Sequence, residues 1–200
     1  MSEVISLFPI AISVHNIDIN FSDEDKKFIN LCLNDQYENT GNTTSYDTYV
    51  LEKLPSLKEK LMSKVNFHFY ETLKHVKESE IYITQSWLNL TKKDQFHHTH
   101  KHPNSILAGV FYLQTVDDDC ISFDNTLRVD QVRPSIESFN SWNSSLYNLP
   151  VHKNMLVIFP SSLMHNVPTV KSDQVRISLA FNTFVKGVLG KDDQLSRVNL

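Results

Sequence analysis

The sequence predicts a mainly β protein of the α+β kind, a jelly-roll core with supporting helices gathered at its N-terminal end. Two observations predict it. From residue 81 onward, short runs of β-branched and aromatic residues are separated by polar turns, the spacing of an antiparallel sandwich, barrel or jelly roll. Ahead of them, two segments carry apolar side chains at steps of three and four, the period of an amphipathic helix. A chain of 200 residues can bury a sizeable core, and no repeat, low-complexity tract or linker divides it. One domain over residues 1–200 is expected. In it 1–80 supplies a strand and the supporting helices, 81–187 the jelly roll and 188–200 a tail.

Residues 8–16 alternate and read as a strand. Ser22-Asp23-Glu24-Asp25 resembles a capping box; it opens a helix that carries Phe28, Ile29, Leu31 and Leu33 and stops near Asn34-Asp35. Residues 36–48, rich in Asn, Thr and Ser, read as a loop. Pro55 suits the first turn of a second helix. Its apolar face is Leu57, Leu61, Val65, Phe69, Leu73 and Val76, ending near Ser79, with His75 on the helix surface. The strand runs that follow are 81–90, 95–102, 105–116, 119–124, 127–133, 145–151, 154–159 and 174–185.

Composition narrows the function classes. Hydrophobic residues are 40% and charged residues 21%, ordinary for a globular domain. The net charge of −4 carries no basic stripe of the kind that binds nucleic acid. With 4 glycines there is no phosphate-binding Gly-rich loop. Cys32 and Cys120 lack metal-ligand spacing and make no disulfide framework, which points to a cytosol-like, reducing compartment. The first residues lack a basic n-region and a long apolar stretch, so no signal peptide is expected. No apolar run approaches the ~20 residues of a membrane span.

The chemistry-bearing residues are histidines. His97, His98, His100 and His102 fall within six positions and lead into an apolar strand. In a regular strand alternate side chains share a face, which groups His98, His100 and His102 and turns His97 the other way. Imidazoles at that spacing suit one metal ion, and imidazole suits iron, zinc, copper and nickel. Asp94 is a further candidate ligand. The candidate for a third protein ligand is His165, which follows the strand ending at Phe159-Pro160; alone it could equally be a loop or core histidine. Eleven residues later Arg176 and Ser178 share the inward face of a strand whose other face is Val175, Ile177, Leu179 and Phe181. A buried arginine needs an anion, and its planar fork suits a carboxylate. That anion is either a ligand or a protein carboxylate such as Asp173.

Histidines at the start of the core, one histidine some sixty residues later and Arg-x-Ser beyond it resemble the iron(II)- and 2-oxoglutarate-dependent oxygenases. The chain is similar in particular to a prolyl 4-hydroxylase-like branch found in bacteria and phages. The matching phrases are Leu7-Phe8-Pro9, Ser86-Trp87-Leu88-Asn89, His100-Lys101-His102-Pro103-Asn104-Ser105 and Ala108-Gly109-Val110-Phe111-Tyr112-Leu113. Phe159-Pro160-Ser161 with His165, and Arg176-Ile177-Ser178-Leu179-Ala180-Phe181-Asn182, complete them.

The resemblance implies a double-stranded β-helix and an enzyme of the cytoplasm of a bacterial or phage-infected cell. That enzyme would take Fe(II), 2-oxoglutarate and O2, hydroxylate an unidentified small molecule or protein side chain, and release succinate and CO2. His165 becomes the distal iron ligand, and Arg176 with Ser178 holds the distal carboxylate of 2-oxoglutarate. The proximal pair is His100 and His102, whose His-x-His-Pro phrase carries the resemblance, with His98 and His100 as the alternate. The superfamily has an acid in this pair, and its replacement by imidazole leaves the site one unit more positive. Asn89 and Tyr112 are candidates for contact with 2-oxoglutarate or substrate, and Trp87 reads as core. Residues 125–150, with Arg128, Arg133, Phe139, Trp142 and Tyr147, are the segment expected to select substrate. Two other readings stay open: a cupin-like metalloprotein whose all-histidine site does not use 2-oxoglutarate, and a non-catalytic module of the same fold.

Overall fold

The computed structural model describes residues 3–126, 132 and 134–200. Two antiparallel sheets face each other. The larger is built from β1 (Ser13–Asn16), β2 (Gln36–Glu38), β3 (Thr43–Ser45), β4 (Ser79–Thr91), β6 (Leu107–Gln114), β9 (Met155–Pro160) and β11 (Arg176–Leu189). Its order is β1-β9-β6-β11-β4-β3-β2, and β12 (Val198–Asn199) pairs with the end of β11. The smaller sheet has the order β5 (His97–His100), β10 (His165–Val167), β7 (Cys120–Asp124) and β8 (Leu146–Pro150). This is the double-stranded β-helix that the sequence resemblance implies.

Period-two alternation sorts the side chains of the larger sheet between two cores. Leu107 and Phe111 of β6, and Leu179 and Phe181 of β11, point outward onto the helices. Ala108, Val110 and Tyr112 of β6 and Ala180 of β11 point inward, where they meet Ile121, Phe123, Val157 and Phe159. Helix α1 (Asp23–Asn34) contributes Ile29 and Cys32 to the outer core, and α2 (Pro55–Asn66) contributes Leu57, Leu61 and Val65. The helices therefore buttress one face of the larger sheet and leave its inner face to the site. No helix among the described residues is long and apolar enough to cross a membrane, and both cysteines are free thiols.

The capping box at Ser22 and Asp25 forms, with both reciprocal bonds at 3.0 Å, although Leu31 is exposed. Three local expectations are corrected. The second α-helix ends at Asn66 and widens into a π-helical turn over Phe67–Thr72, so Val76 and His75 lie beyond it. The wide turn sinks His68 into the core, where its Nδ1 lies 2.8 Å from Ser13 Oγ, while His75 stacks on Phe69. The polar stretch 36–48 holds the β2–β3 hairpin, which extends the larger sheet through Thr43 opposite Leu90. Gly41 at its tip has φ +92, and an added Cβ would lie 2.6 Å from the Phe96 carbonyl oxygen. The strand expected over 8–16 is regular only at 13–16. The one expected over 127–133 lies, apart from residue 132, outside the described residues.

Candidate metal centre and co-substrate cavity

The site lies between the sheets, where β5 meets β10. His165 opens β10 directly opposite His100 of β5, and His102 stands two residues past the end of β5, its backbone N–H donating to Ser161. The His165 ring centroid is 4.3 Å from that of His100 and 5.1 Å from that of His102. One ligand atom from each of the three lies within 4.8 Å of the others.

Each ring has its Nδ1 aimed at an oxygen: Leu163 O for His165 at 2.9 Å, His98 O for His100 at 2.7 Å, and Asn182 Oδ1 for His102. A carbonyl oxygen only accepts, so in a neutral ring the proton sits on Nδ1 and the Nε2 lone pair is free. Burial, reinforced by the neighbouring imidazoles, pushes His165 down to about 3. Burial likewise lowers His100 to about 4 and His102 below its ordinary value. Three neutral imidazoles with converging lone pairs are the ligand form of histidine. The donor set fits a divalent metal, and a hydrogen bond to the ring's far nitrogen is the usual way such a ligand is oriented.

The alternation expected along residues 97–102 breaks. His165 opposes His100 but Val167 opposes His97, so β5 has one residue more than β10 across this step. Such a bulge reverses the parity of the strand. It stacks His97 on His100, with ring centroids 4.4 Å apart. His97 lines the same cavity as His165 and Arg176, and burial holds it down to about 2. His98 sits further out, 5.0 Å from His100 by centroid, and belongs to a second histidine group with His97 and His100. Asp94 is exposed in the β4–β5 turn and belongs to neither group.

Arg176 is 2% exposed and lines the histidine cavity together with Ser178 and Asn89. On antiparallel strands directly opposed residues share a face. Arg176 opposes Thr91, and Ser178 opposes both Asn89 and Tyr112, so all five face inward. The partner of the guanidinium is Asp119, whose Oδ1 accepts from Nε at 2.9 Å; Asp173 instead pairs with Lys93 on the surface. Nη1 lies 3.2 Å from Ser178 Oγ, and the guanidinium packs 5.1 Å from the Tyr112 ring centre. Burial pushes the Asp119 carboxyl up, and Arg176 opposes that shift.

Tyr112 Oη, Thr91 Oγ1 and Asp119 Oδ2 are buried without a partner, an arrangement that costs about 1–3 kcal/mol for each group. The two hydroxyls are donors beside a cation, which is what a bound carboxylate needs. The cavity thus fits the distal carboxylate of 2-oxoglutarate. Thr91 and Asp119 are absent from the sequence-based site; neither belongs to a motif, and strand pairing brings Thr91 to Arg176 while Asp119 reaches it from the turn ahead of β7 in the smaller sheet.

Outside the histidines a wider cleft of about 650 Å³ opens, lined by Tyr37, Thr44 and Tyr49 from the N-terminal part and by Trp87, Lys101 and Asn182. Trp87 stacks on His102 at 5.8 Å and borders both cavities, so it is a site residue and not simply core. The described part of segment 125–150 lies elsewhere. Trp142 and Tyr147 line a groove with Leu7 and Phe8, while Arg128 and Arg133 lie outside the described residues.

Residues 85–182 match the family of 2OG-Fe(II) oxygenases. The matched segment is that of a 2OG-Fe(II) oxygenase. The matched segment contains every one of the site residues from Asn89 to Ser178. The oxygenase takes Fe(II) and 2-oxoglutarate, in keeping with the histidine group and the Arg176 cavity. Its fold is shared with HygX from Streptomyces hygroscopicus, solved with nickel, 2-oxoglutarate and hygromycin B bound. The TM-score is 0.57 at 12% identity over 87% of this chain and 82% of that one. The non-heme alpha ketoglutarate dependent carbocyclase SnoK from nogalamycin biosynthesis gives 0.59 at 14% identity over 94% and 86%. A Pseudomonas putida prolyl-4-hydroxylase gives 0.52 at 11% identity over 86% and 92%. At these identities the likeness is one of fold, and fold alone does not name a substrate. No curated protein matches the oxygenase by sequence.

Proposed function

We propose that the oxygenase is a hydroxylase in which His100, His102 and His165 hold iron(II) and Arg176 with Ser178 holds the distal carboxylate of 2-oxoglutarate. The observation that supports this most directly is the shared cavity. Three imidazoles with free Nε2 lone pairs and a buried arginine beside partnerless hydroxyls line one space. His98 is set aside as a ligand of this centre because it stands outside the inner group. When bound, iron(II), 2-oxoglutarate and dioxygen supply the oxidation, with succinate and carbon dioxide as co-products. Hydroxylation as the outcome rests on the resemblance of the His100-Lys101-His102-Pro103 phrase to the prolyl 4-hydroxylase-like branch.

The protein's own residues position and shield. Asn182 and the carbonyls of His98 and Leu163 hold the imidazoles in one tautomer. Asp119 holds Arg176 by its Nε edge, and Tyr112 beneath the guanidinium and Asn89 on the cavity wall are assigned contact with the co-substrate. Val110, Ile121 and Ala180 give the cavity an apolar lining that keeps water from the reacting centre. The substrate, a small molecule or a protein side chain, enters through the 650 Å³ cleft beside Trp87. The free Cys32 and Cys120 suit a reducing, cytoplasmic compartment.

The test is an anaerobic titration of metal-free protein with iron(II) and then 2-oxoglutarate, read by the visible metal-to-ligand charge-transfer absorption. The wild type gives the band; Arg176→Ala and His165→Ala lose it. A wild type that binds iron but gives no band is an all-histidine metalloprotein that does not take 2-oxoglutarate.

A further inference from the structure

The inner centre accounts for His100, His102 and His165 and leaves His97 and His98 without a role. Both line the outer cleft beside His100. The β5 bulge stacks His97 on His100 at 4.4 Å, His98 stands 5.0 Å from His100 and 5.2 Å from His97, and one ligand atom from each lies within 4.8 Å of the others. Among the described residues the rings that His97 meets at these distances are all imidazoles, with no carboxylate in the group. The His98 Nδ1 lies 3.4 Å from Thr40 O, long for a hydrogen bond, so its ring is weakly held and free to turn. Clustered imidazoles at a cavity mouth present ring nitrogens that stacking does not satisfy.

We propose that His97, His98 and His100 form a second cation site at the mouth of the cavity, selective for divalent ions that favour imidazole, such as zinc(II), cobalt(II) or nickel(II). His100 belongs to both groups, and its Nδ1 is tied to the His98 carbonyl in the inner arrangement. A cation in the outer site therefore draws His100 away from the inner centre, and the two sites compete. Zinc(II) and nickel(II) bind nitrogen donors more tightly than iron(II), so the all-imidazole outer site favours them over iron(II). The inference shares His100 with the proposed iron centre but does not require 2-oxoglutarate to bind.

The experiment is isothermal titration calorimetry of metal-free protein with cobalt(II), alongside the cobalt visible spectrum. His165→Ala removes an inner ligand and leaves the outer three; it is expected to bind one cobalt(II). His98→Ala in the same chain is expected to weaken that binding at least tenfold. His102→Ala replaces His165→Ala in both proteins if thermal melting in chelator shows that the latter does not fold. Absence of cobalt binding in the single variant overturns the outer site, as does equal binding by the single and double variants. The iron(II) and 2-oxoglutarate titration of the wild type stands or falls separately, so the two failures are distinguishable.

Discussion

The Nε2 atoms of His102 and His165 stand 3.3 Å apart, and the hydrogen bonds of both rings place their protons on the far nitrogen. Two lone pairs face each other at hydrogen-bond distance with no proton to share. Two nitrogens bound to one ion at about 2.1 Å stand about 3.0 Å apart at a right angle and about 3.4 Å apart at the tetrahedral angle. The separation is that of two ligands of one metal ion.

Asn182 orients His102 from β11. Replacing the partner of a metal-bound histidine typically costs about 10–100-fold in affinity. Asn182→Ala is expected to weaken nickel(II) or iron(II) binding within that range in calorimetry, with the circular dichroism spectrum unchanged. Unaltered affinity would show that His102 is not held by this bond, or is not a ligand.

Asp119 neutralises Arg176 where both side chains are 2% exposed. Asp119→Ala leaves a buried charge without its partner and is expected to lower the unfolding free energy by about 3–5 kcal/mol. Asp119→Asn keeps an acceptor for Nε and should lose less. Urea denaturation of the metal-free proteins measures both, and an alanine variant as stable as the wild type would mean that Arg176 finds another anion or water.

His68 is fully buried, His15 is half-buried beside Lys64, and the Nε2 atom of each is buried without a partner. Burial lowers the pKa of both below the ordinary value of 6.5. The unfolded chain therefore takes up protons first as pH falls, so their contribution to stability is present above pH 6.5 and is lost progressively below it. The thermal midpoint should drop on acidification, and His68→Gln should flatten that drop. An identical pH profile for the variant would remove His68 from the account.

Gly109 lies opposite Phe181 across β6 and β11, and an added Cβ would sit 2.1 Å from the Phe181 ring. Phe181 is fully buried against the helices, so it has little room to yield. Gly109→Ala is expected to destabilise by roughly 1–3 kcal/mol, read as a lower urea midpoint. A neutral result would mean that the ring shifts without loss of packing.

Features that depend on neighbours in the chain were legible. Ser22 and Asp25 are three residues apart, so their capping box and the helix it opens are local. Period-two alternation in β6 and β11 marks one face of each strand as core. The order of the histidines, Arg176 and Ser178 pointed to the chemistry, and the distance rules for a metal ligand set are then met by His100, His102 and His165. The β2–β3 hairpin was missed because its Thr- and Asn-rich strands carry little apolar pattern and owe their order to the edge of β4.

What the sequence determined by itself was the class of fold, the first helix and the identity of the chemical groups, since local periodicity and side-chain chemistry need no tertiary context. Which groups meet was decided by the tertiary structure. The bulge that turns His97 inward exists only in the pairing of β5 with β10. Asp119 reaches Arg176 across 57 residues, and Asn182 reaches His102 across 80. Strand register is a property of two segments at once, and a shift of one residue carries a side chain to the opposite face.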